Sequence, residues 1–341
     1  MFGHAAGRLA VICVPKRVGA LVVALLLAAC AGDEGSAART TTSTSTTPAP
    51  ATTATTASLP ALPASAPGGE VRALVTPTRL VVPVLGPAAG GGWRVRTPCG
   101  ADSVATVGAP LTGATVVLDP GHGGDEPGAI GANGLREADL NLAVARLAAD
   151  RLEAAGATVV LTRVDDVRVT LTTRALLARR LAPRALVSVH HNGDPDGPSA
   201  RPGTETWYQA ADPASRRLAG LLYEEELAAF AAYDGVRWQA DRDAGAKSRR
   251  NARGGDYYGI LRDTAGVPAT ISEALFLSNP GEAALLARSD VQRAEADALA
   301  RAVARFLTTD DSGFGFVDAY PRPSAAGPGG GRAGCVDPPL A

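Results

Sequence analysis

The stretch VVLDPGHGG, residues 116–124, is an apolar run that ends in an acid, a proline and a histidine set among glycines. Short apolar runs of this kind are typical of buried strands, and the glycines indicate a sharp loop. In sheets covered by helices, binding sites form beyond the carboxyl ends of the strands. His122, one of four histidines in the chain, is therefore predicted to lie at a functional site.

The sequence that follows alternates between apolar runs and stretches with helical periodicity. Strands are predicted at residues 115–119, 157–163, 185–190, 204–209, 257–262 and 268–276, and helices at 140–155, 170–180, 213–230 and 291–307. This alternation predicts an α/β fold: a single domain with a mostly parallel or mixed twisted sheet and helices on both faces. The active site is expected at the carboxyl ends of the strands.

The N-terminus carries the features of an export signal. Basic residues up to Arg17 precede an apolar stretch, Val18–Ala29, that is short for a membrane-spanning helix. This stretch ends in LAAC, which resembles a bacterial lipobox and implies cleavage before Cys30 and lipidation of its thiol. A plain secretory signal is the alternative. We predict a signal peptide at residues 1–29 and a lipid anchor on the outer face of the cytoplasmic membrane, in the cell envelope.

The other segments are assigned from composition. Residues 30–69 are rich in Thr, Ser, Pro and Ala, which predicts a disordered tether. Residues 70–112 contain short β-like runs and form either a small β-subdomain or an extension that packs on the main body. The catalytic domain is placed at residues 113–309, and a Pro/Gly-rich C-terminal tail at 310–341.

Two cysteines, Cys99 and Cys335, remain in the exported part. An even pair in an oxidising compartment predicts a disulfide that joins the two flanks of the domain. A cysteine nucleophile is disfavoured because both lie in Pro/Gly-rich sequence without a nearby histidine.

The overall charge excludes one class of partner. A formal net charge of −1 gives no basic field for nucleic acid, so no nucleic-acid partner is expected.

Four side chains suited to metal binding or proton transfer fall at predicted strand ends. His122 and His190 follow strands, Glu137 lies in a loop that enters a helix, and Glu273 lies in the last strand. Two imidazoles and a carboxylate are a known ligand set for catalytic zinc, and a further carboxylate can accept a proton from water. Each residue alone has an ordinary explanation, such as a helix N-terminal acid at Glu137. Together they indicate a zinc site.

Other catalytic motifs are missing from the sequence. There is no G-x-S-x-G, no H-E-x-x-H and no G-x-x-x-x-G-K-[ST]. Glycosidase chemistry needs only two carboxylates and stays open, although it would leave the two histidines unexplained.

Five motifs in order resemble the zinc-dependent N-acetylmuramoyl-L-alanine amidases of the Amidase_3 type. They are VVLDPGHGGDEPGAIGANGLREADLNL, VVLTRVDD, LVSVHHN, GTETWY and ILRDTAGVPATISEALFLSNPGEAALL. The resemblance runs from Thr115 to about Leu307. It implies an exported α/β enzyme with one Zn²⁺ per chain, which we expect to be a monomer. It also implies hydrolysis of the amide between the lactyl group of N-acetylmuramic acid and L-Ala of the stem peptide, in peptidoglycan or muropeptides.

The resemblance also implies roles for the residues that match its motifs. His122, Glu137 and His190 fall on the zinc ligands of the family, and Glu273 falls on its catalytic acid/base. His191 stands where the family usually has a small residue. Strand alternation predicts that His190, and not His191, faces the metal.

Three further residues are weaker candidates for a role. Asn192 and Arg262 could orient ligands or bind carboxylates of the stem peptide, although structural roles are the alternative. Arg174, inside a predicted helix, is interpreted as a structural ion-pair partner.

Two questions stay open from the sequence. Some amidases of this type carry an inserted helix that plugs the zinc site. Here the connection between Phe230 and Asp256 is polar and glycine-bearing, which predicts an enzyme without such autoinhibition. The alternatives to the amidase are a catalytically inactive peptidoglycan-binding lipoprotein and a zinc peptidase that acts on stem peptides.

Overall fold

The computed structural model describes residues 58–65, 68–194, 197–200, 203–233, 244–320 and 330–341. The predicted signal peptide, Cys30 and most of the predicted tether lie outside these ranges, as does part of the connection between Phe230 and Asp256. None of the helices in the described ranges has the length and apolar character that a membrane span requires.

The described residues form eleven strands and six helices. The strands are β1 (Ala73–Val75), β2 (Val81–Pro87), β3 (Trp93–Arg96), β4 (Asp102–Ala105), β5 (Ala109–Leu111), β6 (Val116–Pro120), β7 (Val159–Leu161), β8 (Ala185–Asn192), β9 (Glu205–Tyr208), β10 (Gly245–Lys247) and β11 (Ala269–Phe276). The helices are α1 (Glu137–Ala154), α2 (Leu171–Leu181), α3 (Pro213–Phe230), α4 (Gly259–Asp263), α5 (Pro280–Leu286) and α6 (Ser289–Thr308).

The main sheet has six strands in the order β10-β9-β11-β8-β6-β7. Strands β7, β6, β8 and β11 run parallel to one another, whereas β9 is antiparallel to β11 and parallel to β10. This confirms the predicted mixed, mostly parallel sheet. The carboxyl ends of β6, β8 and β11 therefore meet at one edge of the sheet, where the site is expected.

Helices cover both faces of this sheet, as predicted. Successive side chains of a strand point to opposite faces. Val116 and Leu118 accordingly lie in the core formed with α1, α3 and α6, whereas Val117 lies in the core formed with α2 and α4. Because both faces are covered, every residue of β6 is buried, which explains its continuous apolar sequence.

The predicted strand at residues 257–262 is wrong. The chain there forms the short helix α4, in which the amide of Arg262 donates to the carbonyl of Tyr258 at 3.0 Å. The neighbouring residues Ile260 and Leu261 are both buried against α2. The sequence of a short apolar run does not show whether it forms a strand or a buried helical turn. Here packing against α2 favours the helical turn.

Residues 73–111 form a separate antiparallel sheet in the order β4-β3-β2-β1-β5. Ala73 and Val81 from this sheet share a hydrophobic cluster with Ala175 and Leu177 of α2. The segment thus has features of both alternatives left open by the sequence: it is a small β-sheet with a hydrophobic cluster of its own, and it packs on the main body.

The predicted tether extends too far along the chain. Residues 58–65 lie against the main domain. The amide of Leu62 donates to the carbonyl of Ala155 at 2.7 Å, and the hydroxyl of Thr115 donates to the carbonyl of Pro63 at 2.7 Å. Leu62 belongs to the main hydrophobic core, and Leu59 packs against it. These two leucines interrupt the Thr/Ser/Pro/Ala composition and bury enough apolar surface to order the segment.

The C-terminal tail packs on the domain in the same way. Phe316 bridges to Ala246 of β10, and its ring occupies space that a side chain at Gly220 would fill, since a Cβ there would lie 2.4 Å from the ring Cζ. The predicted disulfide is confirmed: Cys99 and Cys335 are bonded, with their Cα atoms 5.6 Å apart. The aromatic anchor and the covalent bond hold the described parts of the predicted Pro/Gly-rich tail, residues 310–320 and 330–341, against the domain.

Candidate metal centre and active site

Three predicted ligands meet at the carboxyl edge of the main sheet. His122 follows β6, His190 lies near the end of β8, and Glu137 is the first residue of α1. Their ligand atoms all lie within 4.8 Å of one another. One carboxylate oxygen of Glu137 is 3.2 Å from Nε2 of His122, and the other is 2.8 Å from Nδ1 of His190. Among the described residues, this is the one such group of three.

Two glycines make this close approach possible. A Cβ at Gly121 would lie 2.0 Å from Cε1 of His190, and a Cβ at Gly128 would lie 2.4 Å from Oε2 of Glu137. His122 itself has a φ of 59°, in the left-handed region that costs a residue with a Cβ about 1–2 kcal/mol. The glycines of the GHGG sequence thus allow a tight loop, which places His122 and the loop backbone next to Glu137 and His190.

Two buried arginines hold this loop by its carbonyl groups. Arg163 donates to the carbonyls of Pro120 and Gly121, each at 2.9 Å. Arg174 donates to the carbonyl of His122 at 2.7 Å and also to that of Pro120. The strained backbone at His122 is therefore fixed by charge-assisted hydrogen bonds. Sequence reasoning did not identify Arg163.

Asp119, at the end of β6, balances one of these arginines. Its side chain is 1 % exposed and lies 2.7 Å from Nη1 of Arg174. It also accepts hydrogen bonds from Thr162 and Ser188. Burial raises the pKa of Asp119, but the charge of Arg174 and these hydrogen bonds outweigh it, so the pKa lies below its usual value. The interpretation of Arg174 as an ion-pair partner is confirmed.

Replacing Arg174 by methionine should lower the free energy of unfolding by about 3–5 kcal/mol, because it leaves the charge of Asp119 buried and unpaired. Urea unfolding of the wild type and the variant measures this difference. Arg179→Met, at an exposed position of the same helix, is the matched control and should change stability by about 0.5 kcal/mol or less. A loss below about 1 kcal/mol for Arg174→Met would contradict the assigned role of the pair.

The electrostatic environment suits Glu137 and His190 to binding a cation. Burial raises the pKa of Glu137, yet hydrogen bonds to His122 and His190 hold it well below its usual range. The amide of Ala129 also donates to Glu137, at 2.8 Å. Burial lowers the pKa of His190 despite the adjacent carboxylate. An ionised carboxylate and a neutral imidazole are the protonation states that metal ligands need.

His191 points to the other face of the sheet, as alternation predicted. Its side chain is fully buried, with Nδ1 2.8 Å from Oδ1 of Asn141 and Nε2 3.1 Å from Glu295. The amide group of Asn141 in turn donates to Oε1 of Glu137 at 3.3 Å. The side chain of His191 thus belongs to a buried polar cluster behind the site and reaches Glu137 through Asn141, while the backbone amide of His191 donates to Glu137 at 3.3 Å.

Glu273 lies in β11 beside the three ligand residues. Its Cα partner in the parallel strand β8 is His190, and its partner in the antiparallel strand β9 is Glu205. The strand register shifts just beyond Glu273. Burial raises the pKa of Glu273 well above its ordinary value, and the charge of Glu137 adds to this effect. The structure thus brings all four predicted residues to one place.

A buried ion pair next to Glu273 was missed from the sequence. Glu205 lies 2.7 Å from Nζ of Lys247 and accepts a hydrogen bond from the amide of Asn192 at 3.1 Å. The motif TETWY indicates such a pair, because it places an acid within a buried strand, where the acid requires a partner. The lysine could not be identified because it arrives from β10, an edge strand 42 residues further on.

The two weaker candidates differ in their surroundings. Asn192 lines a cavity at the site together with Gly193. Arg262 instead donates to the carbonyls of Asp256 and Tyr257, at 3.1 and 3.0 Å, and so stabilises the loop that precedes α4. Binding of substrate by either side chain stays a prediction.

Two cavities open at the site, and His122, His190 and Glu273 line both. The first has a volume of about 310 Å³ and is bordered about equally by apolar or aromatic side chains and by charged side chains or histidines. The second has a volume of about 330 Å³ and is bordered by Asn192 and Asp194. The two cavities therefore offer different surroundings to groups bound in either of them.

The chain is similar to known cell-wall enzymes. The family described as N-acetylmuramoyl-L-alanine amidase matches residues 116–305. The uncharacterized protein YqiI of Bacillus subtilis is 32 % identical over 62 % of this chain and 95 % of its own length. The N-acetylmuramoyl-L-alanine amidase AmiC of Neisseria meningitidis is 30 % identical over 57 % of this chain, which spans about half (53 %) of that relative.

A solved structure supports the same relationship. The N-acetylmuramoyl-L-alanine amidase from Clostridium difficile 630 shares 28 % identity with a TM-score of 0.50, over 59 % of this chain and 100 % of that chain. The family match begins at β6 and ends within α6. It therefore contains the three predicted ligands and Glu273 but not the extension β1–β5 or the C-terminal segment.

Proposed function

Because this chain belongs to the family of N-acetylmuramoyl-L-alanine amidases, we propose that it is a zinc-dependent peptidoglycan hydrolase. It hydrolyses the amide that joins the lactyl group of N-acetylmuramic acid to L-Ala of the stem peptide. The observation that carries the proposal is the meeting of His122, Glu137 and His190, with ligand atoms within 4.8 Å, beside Glu273.

The three residues fit the proposed metal. Two imidazole nitrogens and one carboxylate oxygen form a ligand set of catalytic zinc sites, which leave a further position open. His122, Glu137 and His190 would hold the ion, and Glu137 is buried and ionised. When bound, zinc supplies a Lewis acid for the water and for the scissile carbonyl.

Glu273 carries the proton transfers. It accepts a proton from the water as the water oxygen attacks the lactyl carbonyl carbon. It then donates a proton to the nitrogen of L-Ala as the carbon–nitrogen bond breaks. The products are a free lactyl carboxyl group and a stem peptide with a free amine. The buried arginines keep the His122 loop in place throughout, because they bind its carbonyl groups.

The test is product analysis with the purified full-length chain. Muropeptides are incubated with and without EDTA, and the products are identified by mass spectrometry. We expect release of an intact stem peptide with a free L-Ala amine, complete loss of this activity with EDTA, and its return when zinc is added. Release of free amino acids would instead identify a stem-peptide peptidase. Zinc binding without cleavage of muropeptides or sacculi would identify a binding lipoprotein.

Members of this family act on peptidoglycan, so the chain is exported. We propose that it is a monomer in the cell envelope, attached to the outer face of the cytoplasmic membrane through a lipid on Cys30. The LAAC sequence, which ends in Cys30, supports this proposal. Cys30→Ser should move the protein from the membrane fraction to the soluble fraction, as judged by immunoblotting. Retention of the variant in the membrane would contradict a lipid on Cys30.

A further inference from the structure

The first cavity beside Glu273 has a wall that comes from outside the family match. Its apolar border consists mainly of Val169, Leu171, Tyr257, Tyr258 and Ile260, and Gly330 of the C-terminal segment closes one side. Gly330 lies 25 residues beyond the last residue of the family match, 305. The apolar side chains of this border belong to the amidase core, and Gly330 adds a part of the wall that the core alone does not provide.

The C-terminal segment is held firmly at this wall. The carbonyl of Gly330 accepts a hydrogen bond from the amide of Leu171 at 3.0 Å, and the carbonyl of Gly331 accepts one from Arg168 at 2.8 Å. Gly330 packs closely on Leu171, since a Cβ at Gly330 would lie 2.5 Å from the leucine Cγ. The backbone of the segment thus forms part of the cavity surface.

The disulfide fixes the same segment to the N-terminal extension. Cys335, five residues after Gly330, is bonded to Cys99. Beyond it, Asp337 accepts hydrogen bonds at 2.7 Å from the hydroxyl of Thr97 and from the amide of Cys99. The two flanking segments are therefore joined to each other and, through Leu171, to the edge of the cavity.

The chemistry of the two cavities distinguishes the two ends of the substrate. The stem peptide begins with the methyl side chain of L-Ala, whereas the glycan presents hydroxyl and N-acetyl groups. A border that combines apolar and aromatic side chains with charged groups suits the peptide, and the cavity bordered by Asn192 and Asp194 suits the sugar. Both cavities reach His122 and Glu273, so each can receive one side of the scissile amide.

We propose that the C-terminal segment at Gly330, fixed by the Cys99–Cys335 disulfide, forms one wall of a subsite for the stem peptide and thereby sets the preference for stem length. This inference rests on the proposed amidase function. It adds a determinant of specificity that lies outside the catalytic core and depends on an intact disulfide.

The test compares two substrates, N-acetylmuramoyl-L-Ala and N-acetylmuramoyl tetrapeptide. Cys99→Ser/Cys335→Ser should raise KM for the tetrapeptide substrate about tenfold with little change in kcat, and leave both constants for the short substrate unchanged. Leu171→Ala keeps the disulfide and should raise the same KM by a similar factor. Thr172→Ala, at the exposed neighbouring position, is the matched control and should change neither substrate. Zinc content and thermal unfolding show that each variant is folded.

Several outcomes would overturn the inference. Equal losses on both substrates, or no change on either in the folded variants, would show that the segment does not contact the stem. A loss that depends on glycan length, measured with the disaccharide tetrapeptide, would assign the cavity to the sugar. Failure of the wild type to cleave any of these substrates would instead reject the proposed function, and so the two failures are distinguishable.

Discussion

Glu273→Gln should leave one zinc bound per chain and lower kcat roughly a thousandfold, near the middle of the range for a general acid–base residue. Glutamine keeps the size and the hydrogen-bonding atoms of the side chain but cannot accept the proton of the water. Glu273 is not one of the three residues whose ligand atoms meet, so the metal should remain. Initial rates on a muropeptide, with zinc content by mass spectrometry, measure both quantities.

The matched control for this prediction is Glu126→Gln. Glu126 also lines the first cavity, but it is paired with Arg168 at 2.9 Å, so its neutralisation should change kcat little. If Glu273→Gln keeps more than about a tenth of the wild-type kcat, another group must carry the proton. If the variant loses its zinc instead, Glu273 holds the metal and does not transfer the proton.

The four residues of the proposed centre could be predicted because each occupies a position that chain geometry fixes. His122 and His190 follow strands whose apolar sequences are strong signals, and parallel strands bring their carboxyl ends together. Alternation along β8 also separates His190 from His191 without further information. The alternation of side chains between the two faces of a strand therefore determines that the imidazole of His190 faces Glu137.

The supporting residues could not be predicted, because their partners are remote in sequence. Glu205 pairs with Lys247, and Arg163 binds the carbonyl of Gly121 across 42 residues. Nothing local marks such pairs, since a lysine or an arginine in a polar stretch is usually exposed. The one local signal is an acid within a predicted buried strand, as at Glu205, because such an acid needs a cationic partner from another part of the chain.

In the segments that flank the catalytic domain, the prediction failed because it relied on average composition. Single large apolar residues that anchor these segments were not considered. Leu62 and Phe316 lie in segments rich in small residues, proline or glycine, and both pack on the domain. One or two large apolar side chains, each contributing about 1.5–3 kcal/mol on burial, are enough to dock a short segment. The strand predicted at residues 257–262 was wrong for a related reason. Burial against α2, and not the periodicity of the sequence, determines the conformation of this segment.

Glu137→Ala should abolish hydrolysis and weaken zinc binding by at least about a hundredfold, more than the loss of a group that only orients a ligand. The carboxylate is a ligand candidate in its own right, and it also lies 3.2 Å from His122 and 2.8 Å from His190. Its removal takes away a negative charge and leaves two imidazoles without the group that orients them. Competition titration against a fluorescent zinc chelator measures the affinity.

Asp139→Ala provides the control for this variant within the same helical turn. Asp139 is exposed and pairs with Arg136 at 3.3 Å, so its loss should leave zinc affinity and activity at wild-type values, because exposed pairs of this kind contribute little. Glu137→Gln separates the effect of the side-chain charge on zinc binding from the effect of side-chain shape. Its amide group retains one oxygen but lacks the negative charge of the carboxylate. We expect it to bind zinc more weakly than the wild type and to stay inactive at saturating zinc. One zinc per chain at wild-type affinity in Glu137→Ala would show that the ion is held elsewhere, and the proposed centre would then be wrong.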